Sequence, residues 1–174
     1  MLGALPGRAG LAVDASRFAL RRAARAHPRI GAVAADAWRR LPVADGAATL
    51  ALNVFAPRNG AELRRILQPD GRLLVVTPNP GHLAELAGPL GLLAVDPRKD
   101  ERLSAALGPY FDLASRHDYG ATLTLDPAGA AAAAAMGPAA WHAAPGELAG
   151  RAAALPAAVP VTVSVSIAEF RPRR

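Results

Sequence analysis

The chain has 174 residues, 52% apolar and 20% charged, which suits one folded domain with a buried core. It has no cysteine, so it holds no disulfide scaffold, cysteine zinc site or thiol nucleophile. No run of about 18 strongly apolar residues is present to cross a membrane, and Met1 is not followed by the basic and apolar segments of a secretory leader, so a cytoplasmic protein is expected.

Leu11–Asp14 is a short apolar run closed by an acid and reads as a buried strand. Ser16 is a good helix N-cap, and the helix it opens runs to about Ala26, with Phe18, Ala19, Ala23 and Ala26 on one face. Arg17, Arg21, Arg22 and Arg25 fall largely on the other face. His27-Pro28 ends the helix, since a residue before proline avoids helical backbone. Gly31–Asp36 is a second strand ending in an acid, followed by loop signals at Leu41-Pro42 and Asp45-Gly46. Ala48–Phe55 is a third strand, near-continuous in apolar side chains, as where both faces of a parallel sheet are covered. A helix over Asn59–Leu67 is closed by a turn at Gln68–Gly71.

Arg72–Thr77 is the fourth strand, followed by the rigid loop Pro78–Gly81 and a helix starting over His82–Leu86. After Pro97 a helix passes through Glu101–Leu107, and Phe111–Leu125 carries β-type alternation in pieces, interrupted near Gly120. Residues 128–136 are alanine-rich and helical by propensity, and a short helix covers about Gly146–Leu155. Val161–Phe170 alternates cleanly, in the manner of an antiparallel edge strand. Strands alternating with helices specify a doubly wound α/β sheet, and the β-α-β finish suggests the methyltransferase variant rather than a plain dinucleotide fold. No repeat or sharp linker divides the chain, so one domain over residues 1–174 is expected.

Ligands of open α/β sheets sit outside the carboxyl ends of the strands. Asp14 at the first tip suits the ribose hydroxyls of an adenosine cofactor, or merely the positive end of the following helix. Asp36 with Ala37 suits an adenine ring, or a tight turn. Asn53 ends the third strand inside an apolar run, where a buried amide needs a partner. His82 follows the fourth tip and, taken alone, is equally a helix-start surface residue. Trp38 and Trp141 read as packing residues, although Trp38 lies close enough to Asp36 to flank an adenine. His27, His117 and His142 show no metal-ligand spacing, and no phosphate-binding loop, glycine fingerprint or Ser/His/Asp arrangement is present, so no metal site is expected.

The charge is uneven. Residues 1–72 hold 12 arginines against five acids, whereas residues 73–174 are near balance. Clustered arginine reads either as a solvated face or as a phosphate-facing surface. On the second reading the candidates are Arg17, Arg21, Arg22, Arg25, Arg29, Arg39, Arg40 and Arg58 with the tail Arg171, Arg173 and Arg174.

The segments LAVDASRFALRRAARAHP, AADAWRRLPVADG, LNVFAPRNGAELRRILQPDGRLLVVTPNPGHLAEL and MGPAAWH resemble the 23S rRNA guanine-N1 methyltransferases. The resemblance is closest to the actinobacterial branch that includes macrolide-resistance enzymes. It runs over essentially the whole chain and is most specific in APRNGAE and TPNPGHL. It implies the class I SAM-dependent methyltransferase fold, Rossmann-like, with S-adenosyl-L-methionine (SAM) as methyl donor and 23S rRNA as partner. It implies cofactor contacts from Asp14, Asp36, Ala37 and His82. Asn53, from its place at a strand end, is a further candidate contact for cofactor or substrate base, and Arg17, Arg21, Arg25 and Arg58 are the candidate RNA contacts from the charge pattern. It names no general base. The family also carries an N-terminal zinc module and a D-x-G-C-G-x-G loop after a first strand, and none of these is in the 174 residues. The expected sheet therefore lacks its first strand, which in this fold lies at the centre, between the strands at 11–14 and 48–55. Either those two strands close up and pair, or a gap of roughly 9–10 Å stays open between them. A non-catalytic, basic RNA-binding remnant is the competing reading. A nicotinamide-dependent oxidoreductase would need a glycine fingerprint that the sequence lacks.

Overall fold

The computed structural model describes residues 2–93, 96, 98–137, 143–144 and 146–173. Trp141, His142 and Arg174 lie outside the described residues. Among the described residues a 3-10 turn at Leu2–Ala4 precedes six strands and six α-helices, in the order β1 (Gly10–Asp14), α1 (Arg17–Ala26), β2 (Ile30–Ala34), β3 (Ala48–Val54), α2 (Gly60–Ile66), β4 (Leu67–Pro78), α3 (Ala84–Leu90), α4 (Lys99–Leu107), β5 (Phe111–Leu125), α5 (Pro127–Ala135), α6 (Glu147–Ala152) and β6 (Val159–Pro172). The strands form two sheets, one of order β1-β2 and one of order β3-β4-β6-β5. β1 and β3 are thus the edges of separate sheets and do not pair, so the closing-up alternative is not what the chain adopts.

The chain divides into two compact units, and β4, β5 and β6 contribute residues to each. The first comprises residues 1–73, 103–112 and 170–174. In it β1 and β2 pair in parallel, from Gly10 opposite Ile30 to Asp14 opposite Ala34. They are joined through α1, the kind of crossover that parallel neighbours need. The Ser16 hydroxyl accepts from the Ala19 N–H and caps α1. The buried residue of α1 is Leu20, whereas Phe18 and Ala19 are exposed. The inward face is therefore not the one the spacing predicts. Phe18 lies instead under the Arg17 guanidinium, 5.3 Å from the ring centre.

Arg29 is not a free phosphate ligand either. Its guanidinium donates to the carbonyls of Leu2, Leu5 and Arg8 at 2.6–2.9 Å and clasps the N-terminal turn onto β2. A second clasp fixes the loop after β2. Arg65 on α2 donates to the Leu41 and Val43 carbonyls, to Asp45 and to Glu62, and Glu62 accepts the Leu41 N–H. The hydrogen bond from Arg65 holds the Glu62 carboxyl down at about 2, below its ordinary 4.5. Gly60 opens α2 against α4, where a Cβ would stand 2.2 Å from the Ala106 carbonyl oxygen.

The second unit comprises residues 74–102 and 113–169. Leu86 and Leu90 of α3, Ala130 and Ala134 of α5, Ala152 of α6 and Val159 and Val161 of β6 form its core. Three expectations change here and in the strands that continue into this unit. β4 begins at Leu67, so Gln68–Gly71 is strand rather than turn. β5 runs unbroken through Gly120. β6 lies inside the sheet between β4 and β5, and β5 takes the edge. Backbone pairing decides these positions, and local alternation does not report which strand a neighbour will cover.

Candidate functional site

In the first unit the β1 and β2 tips stand side by side. Asp14 is the last residue of β1, and its backbone carbonyl accepts the Ala35 N–H just past the end of β2. Asp36 and Ala37 follow directly, so Asp14 and the Asp36-Ala37 pair share one end of the two-stranded sheet. One carboxylate oxygen of Asp14 accepts the Ser16 N–H at 2.7 Å. The Asp14 side chain is exposed, so its carboxylate is open to a further donor. Asp36 lies two residues beyond β2 rather than at its end. Its carboxylate accepts the Trp38 N–H at 2.9 Å and pairs with Arg39 at 3.5 Å. Trp38 is 67% exposed and packs into no core, contrary to its reading as a packing residue.

The loop after Asp36 is bound to the β3 tip region. The Asn59 side chain donates to the Trp38 carbonyl at 3.1 Å while its oxygen caps α2. On β3 itself Asn53 is buried, and its amide donates to the Pro57 carbonyl at 2.7 Å. Its Oδ1 is buried with no hydrogen-bond partner among the described residues. Buried acceptors are ordinarily paired, so this oxygen is an unsatisfied site at a strand end. Two further irregularities adjoin it. Phe55 has left-handed backbone, φ 50°, which L side chains adopt at a cost. Arg58 has a buried Nε without a hydrogen-bond partner among the described residues, and burial lowers its pKa. Half-buried Arg58 is therefore less available to a phosphate than an exposed arginine would be. Arg17, Arg21 and Arg25, by contrast, form an exposed i, i+4, i+8 row on α1, and among the described residues no carboxylate pairs with them.

In the second unit His82 stands in the loop after β4. Its Nδ1 accepts the Ser164 N–H at 3.2 Å. That places the proton of the neutral ring on Nε2. Burial lowers its pKa and so favours the neutral imidazole. The loop is held by groups that sequence reasoning missed. Lys99 donates to the Pro78 carbonyl at 2.7 Å and to Asn79 Oδ1 at 3.0 Å. The Asn79 backbone N–H donates to the Ser164 carbonyl at 2.9 Å, and Glu85 accepts from the Thr162 N–H and hydroxyl. Lys99 is the one lysine of the chain, which is the only signal that could have singled it out.

These tips carry acceptors for hydroxyl and amine donors. They include no cluster of three or more His, Cys, Asp or Glu side chains set to hold a metal, among the described residues.

The chain matches no protein-family model. It is 51% identical over 172 residues to a protein of Micromonospora griseorubida provisionally named a 23S rRNA (guanine-N(1)-)-methyltransferase, covering 99% of this chain and 58% of that one. It is 54% identical over 142 residues to the 23S rRNA (guanine(748)-N(1))-methyltransferase of Streptomyces fradiae, covering 82% of this chain and 51% of that one. The chain thus spans about half the length of these relatives. Among solved structures, a protein of Bacillus halodurans provisionally described as a methyltransferase superposes with a TM-score of 0.55 at 14% identity, covering 92% of this chain and 81% of that one. A TehB-like SAM-dependent methyltransferase of Corynebacterium glutamicum does so with 0.51 at 13% identity, covering 99% and 72%. No helix of the described residues is long and apolar enough to cross a membrane. The chain is a homologue of actinobacterial 23S rRNA guanine-N1 methyltransferases, built on the class I methyltransferase fold.

Proposed function

We propose that this chain forms the cofactor- and RNA-binding part of a cytoplasmic enzyme that methylates N1 of a guanine in 23S rRNA. The observation that carries the reading is the identity of 51% over nearly the whole chain to a relative of that name. The strand tips agree with it. The second oxygen of Asp14 is an acceptor for ribose hydroxyls, and the neighbouring Asp36-Ala37 turn suits an adenine edge. Asn53 Oδ1 is a desolvated acceptor for an N–H of cofactor or base, and its burial makes such a bond strong. His82 is assigned to the cofactor as a neutral ring. The acceptors of the first unit, Asp14, Asp36 and Asn53, suit the donors of S-adenosyl-L-methionine, which when bound supplies an electrophilic methyl group on a sulfonium. The chain's own part is to hold both reactants in line and to exclude water. The target guanine must leave its stack, at a cost of a few kcal/mol. The exposed row Arg17, Arg21 and Arg25 is assigned to the RNA backbone, and Arg58 to the rim of the base site. No side chain is assigned as the base for the guanine N1 proton.

Calorimetry with S-adenosyl-L-methionine tests this reading. Saturable binding that weakens in Asp14→Ala and in His82→Ala is the expected result. One observation favours a second reading, a basic RNA-binding protein without catalysis: residues 1–72 hold 12 arginines against five acids. No heat at millimolar ligand, with retained affinity for an rRNA hairpin, would select that reading.

A further inference from the structure

Lys99 opens α4, and its half-buried ammonium group reaches the loop that follows β4. It donates to the Pro78 carbonyl at 2.7 Å and to Asn79 Oδ1 at 3.0 Å. An ammonium carries three donors on one point charge, so a single head group can hold two acceptors that lie in different directions. Hydrogen bonds from a charged donor are stronger than neutral ones. The other side-chain contacts of Asn79, from its amide to the Ser164 hydroxyl and to Asp118, are both 3.4 Å long, beyond the usual range. The short bond that fixes the Asn79 side chain is therefore the one from Lys99.

From Asn79 the bonds continue to His82 by way of β6. The Asn79 N–H donates to the Ser164 carbonyl at 2.9 Å, and the Ser164 N–H donates to His82 Nδ1 at 3.2 Å. The His82 N–H returns to the Asn79 carbonyl at 2.9 Å and closes the ring of contacts. Leu83, the next residue, has left-handed backbone, φ 54°, and its N–H donates to the Thr162 carbonyl at 2.8 Å. A leucine keeps that conformation only where its surroundings over-determine it. The Ser164 N–H requires an unprotonated Nδ1, so the ring of contacts selects one of the two neutral tautomers. All of these residues lie in the second unit.

We propose that Lys99 is a positioning residue for His82: by holding Pro78 and Asn79 it sets the Ser164 N–H against the imidazole and fixes the ring with its proton on Nε2. Lys99 does this through Asn79 and β6, without touching the ring. The far end of the loop has its own tether, since Glu85 accepts the Thr162 N–H at 2.9 Å. Loss of Lys99 should therefore free the Pro78–His82 end and leave the helix that follows in place. On the reading proposed above, which assigns His82 to the cofactor, that freedom weakens cofactor binding.

Nitrogen NMR of the imidazole in the full chain, without cofactor or RNA and at a pH where the ring is neutral, reads the tautomer directly. The His82 signals are those lost in His82→Ala. The parent should show two well separated ring-nitrogen resonances, an unprotonated Nδ1 and a protonated Nε2. In Lys99→Met the separation should narrow as the second tautomer becomes populated, while the circular dichroism of the chain is retained. A merely structural lysine would lower the unfolding midpoint without moving these resonances, and an unchanged separation in the folded variant overturns the proposal. Should Lys99→Met fail to fold, Asn79→Ala removes the acceptor and is read in the same way, with the same two outcomes. The double variant should narrow the separation no further than the larger single effect, and additive narrowing would mean separate routes and overturn the relay. Calorimetry then follows S-adenosyl-L-methionine, whose dissociation constant should rise about three- to tenfold in Lys99→Met. A narrowed separation with an unchanged constant would sustain the positioning of His82 and overturn its assignment to the cofactor.

Discussion

β1 and β3 are built from the same kind of residues as β4 and β6, but their fates differ. On β4 the residues Leu67, Gly71, Leu73, Val75 and Thr77 alternate as buried positions, and on β6 Val161, Val165, Ser166, Ala168 and Phe170 are buried. On β1 no residue is buried, and on β3 only Asn53 is. The difference lies in the neighbours. β4 and β6 each have strands on both sides, while β1 and β3 are edges. Apolar sequence sets what a strand can bury, and topology sets what it does bury.

The sharpest way to break that contrast is to truncate equivalent leucines. Leu73→Ala removes a side chain with 0% exposure and should cost about 2–5 kcal/mol in denaturant unfolding. Leu52→Ala, at a half-covered edge, should cost well under that, about 1 kcal/mol or less. Equal losses would mean that the β3 edge is covered in solution. Gly60→Ala should destabilise by about 1–3 kcal/mol, because its methyl group meets the Ala106 carbonyl rather than a yielding side chain. Asp14→Ala should raise the dissociation constant for S-adenosyl-L-methionine about 10- to 100-fold, the loss of a charged hydrogen-bond acceptor, with little change in melting temperature. An unchanged constant would remove Asp14 from the site. A smaller effect belongs to the Glu62–Arg65 clasp. Glu62 has its folded pKa depressed from 4.5 to about 2. Its contribution is therefore complete above the unfolded value and is lost as pH falls from 4.5 toward 2. Unfolding midpoints measured across that window should fall more steeply in the parent chain than in Glu62→Gln.

Much of the architecture was legible because it is locally written. Ser16 and Asn59 cap helices as their residue types promise, the strand ends at Asp14 and Ala34 lie within two residues of their expected positions, and the alanine-rich stretch is helical. What was not legible depends on partners distant in sequence. Gly120 does not interrupt β5, the Gln68–Gly71 turn signal yields to a strand, and Phe18 lies outside because Leu20 takes the buried position on α1. The site divides in the same way. Asp14 and Asp36 could be placed from strand ends alone. The unsatisfied oxygen of Asn53, the left-handed Phe55 and the Lys99–Asn79–Ser164 contacts exist only once remote segments meet.

The grip of Arg29 on three backbone carbonyls has a consequence for how the protein meets a polyanion. A guanidinium engaged in that way releases no counterion when nucleic acid arrives, and the same holds for Arg65 in its clasp. A plot of log affinity against log ionic strength should therefore be shallower than the arginine tally of the first 72 residues suggests, by about one unit for each arginine already occupied.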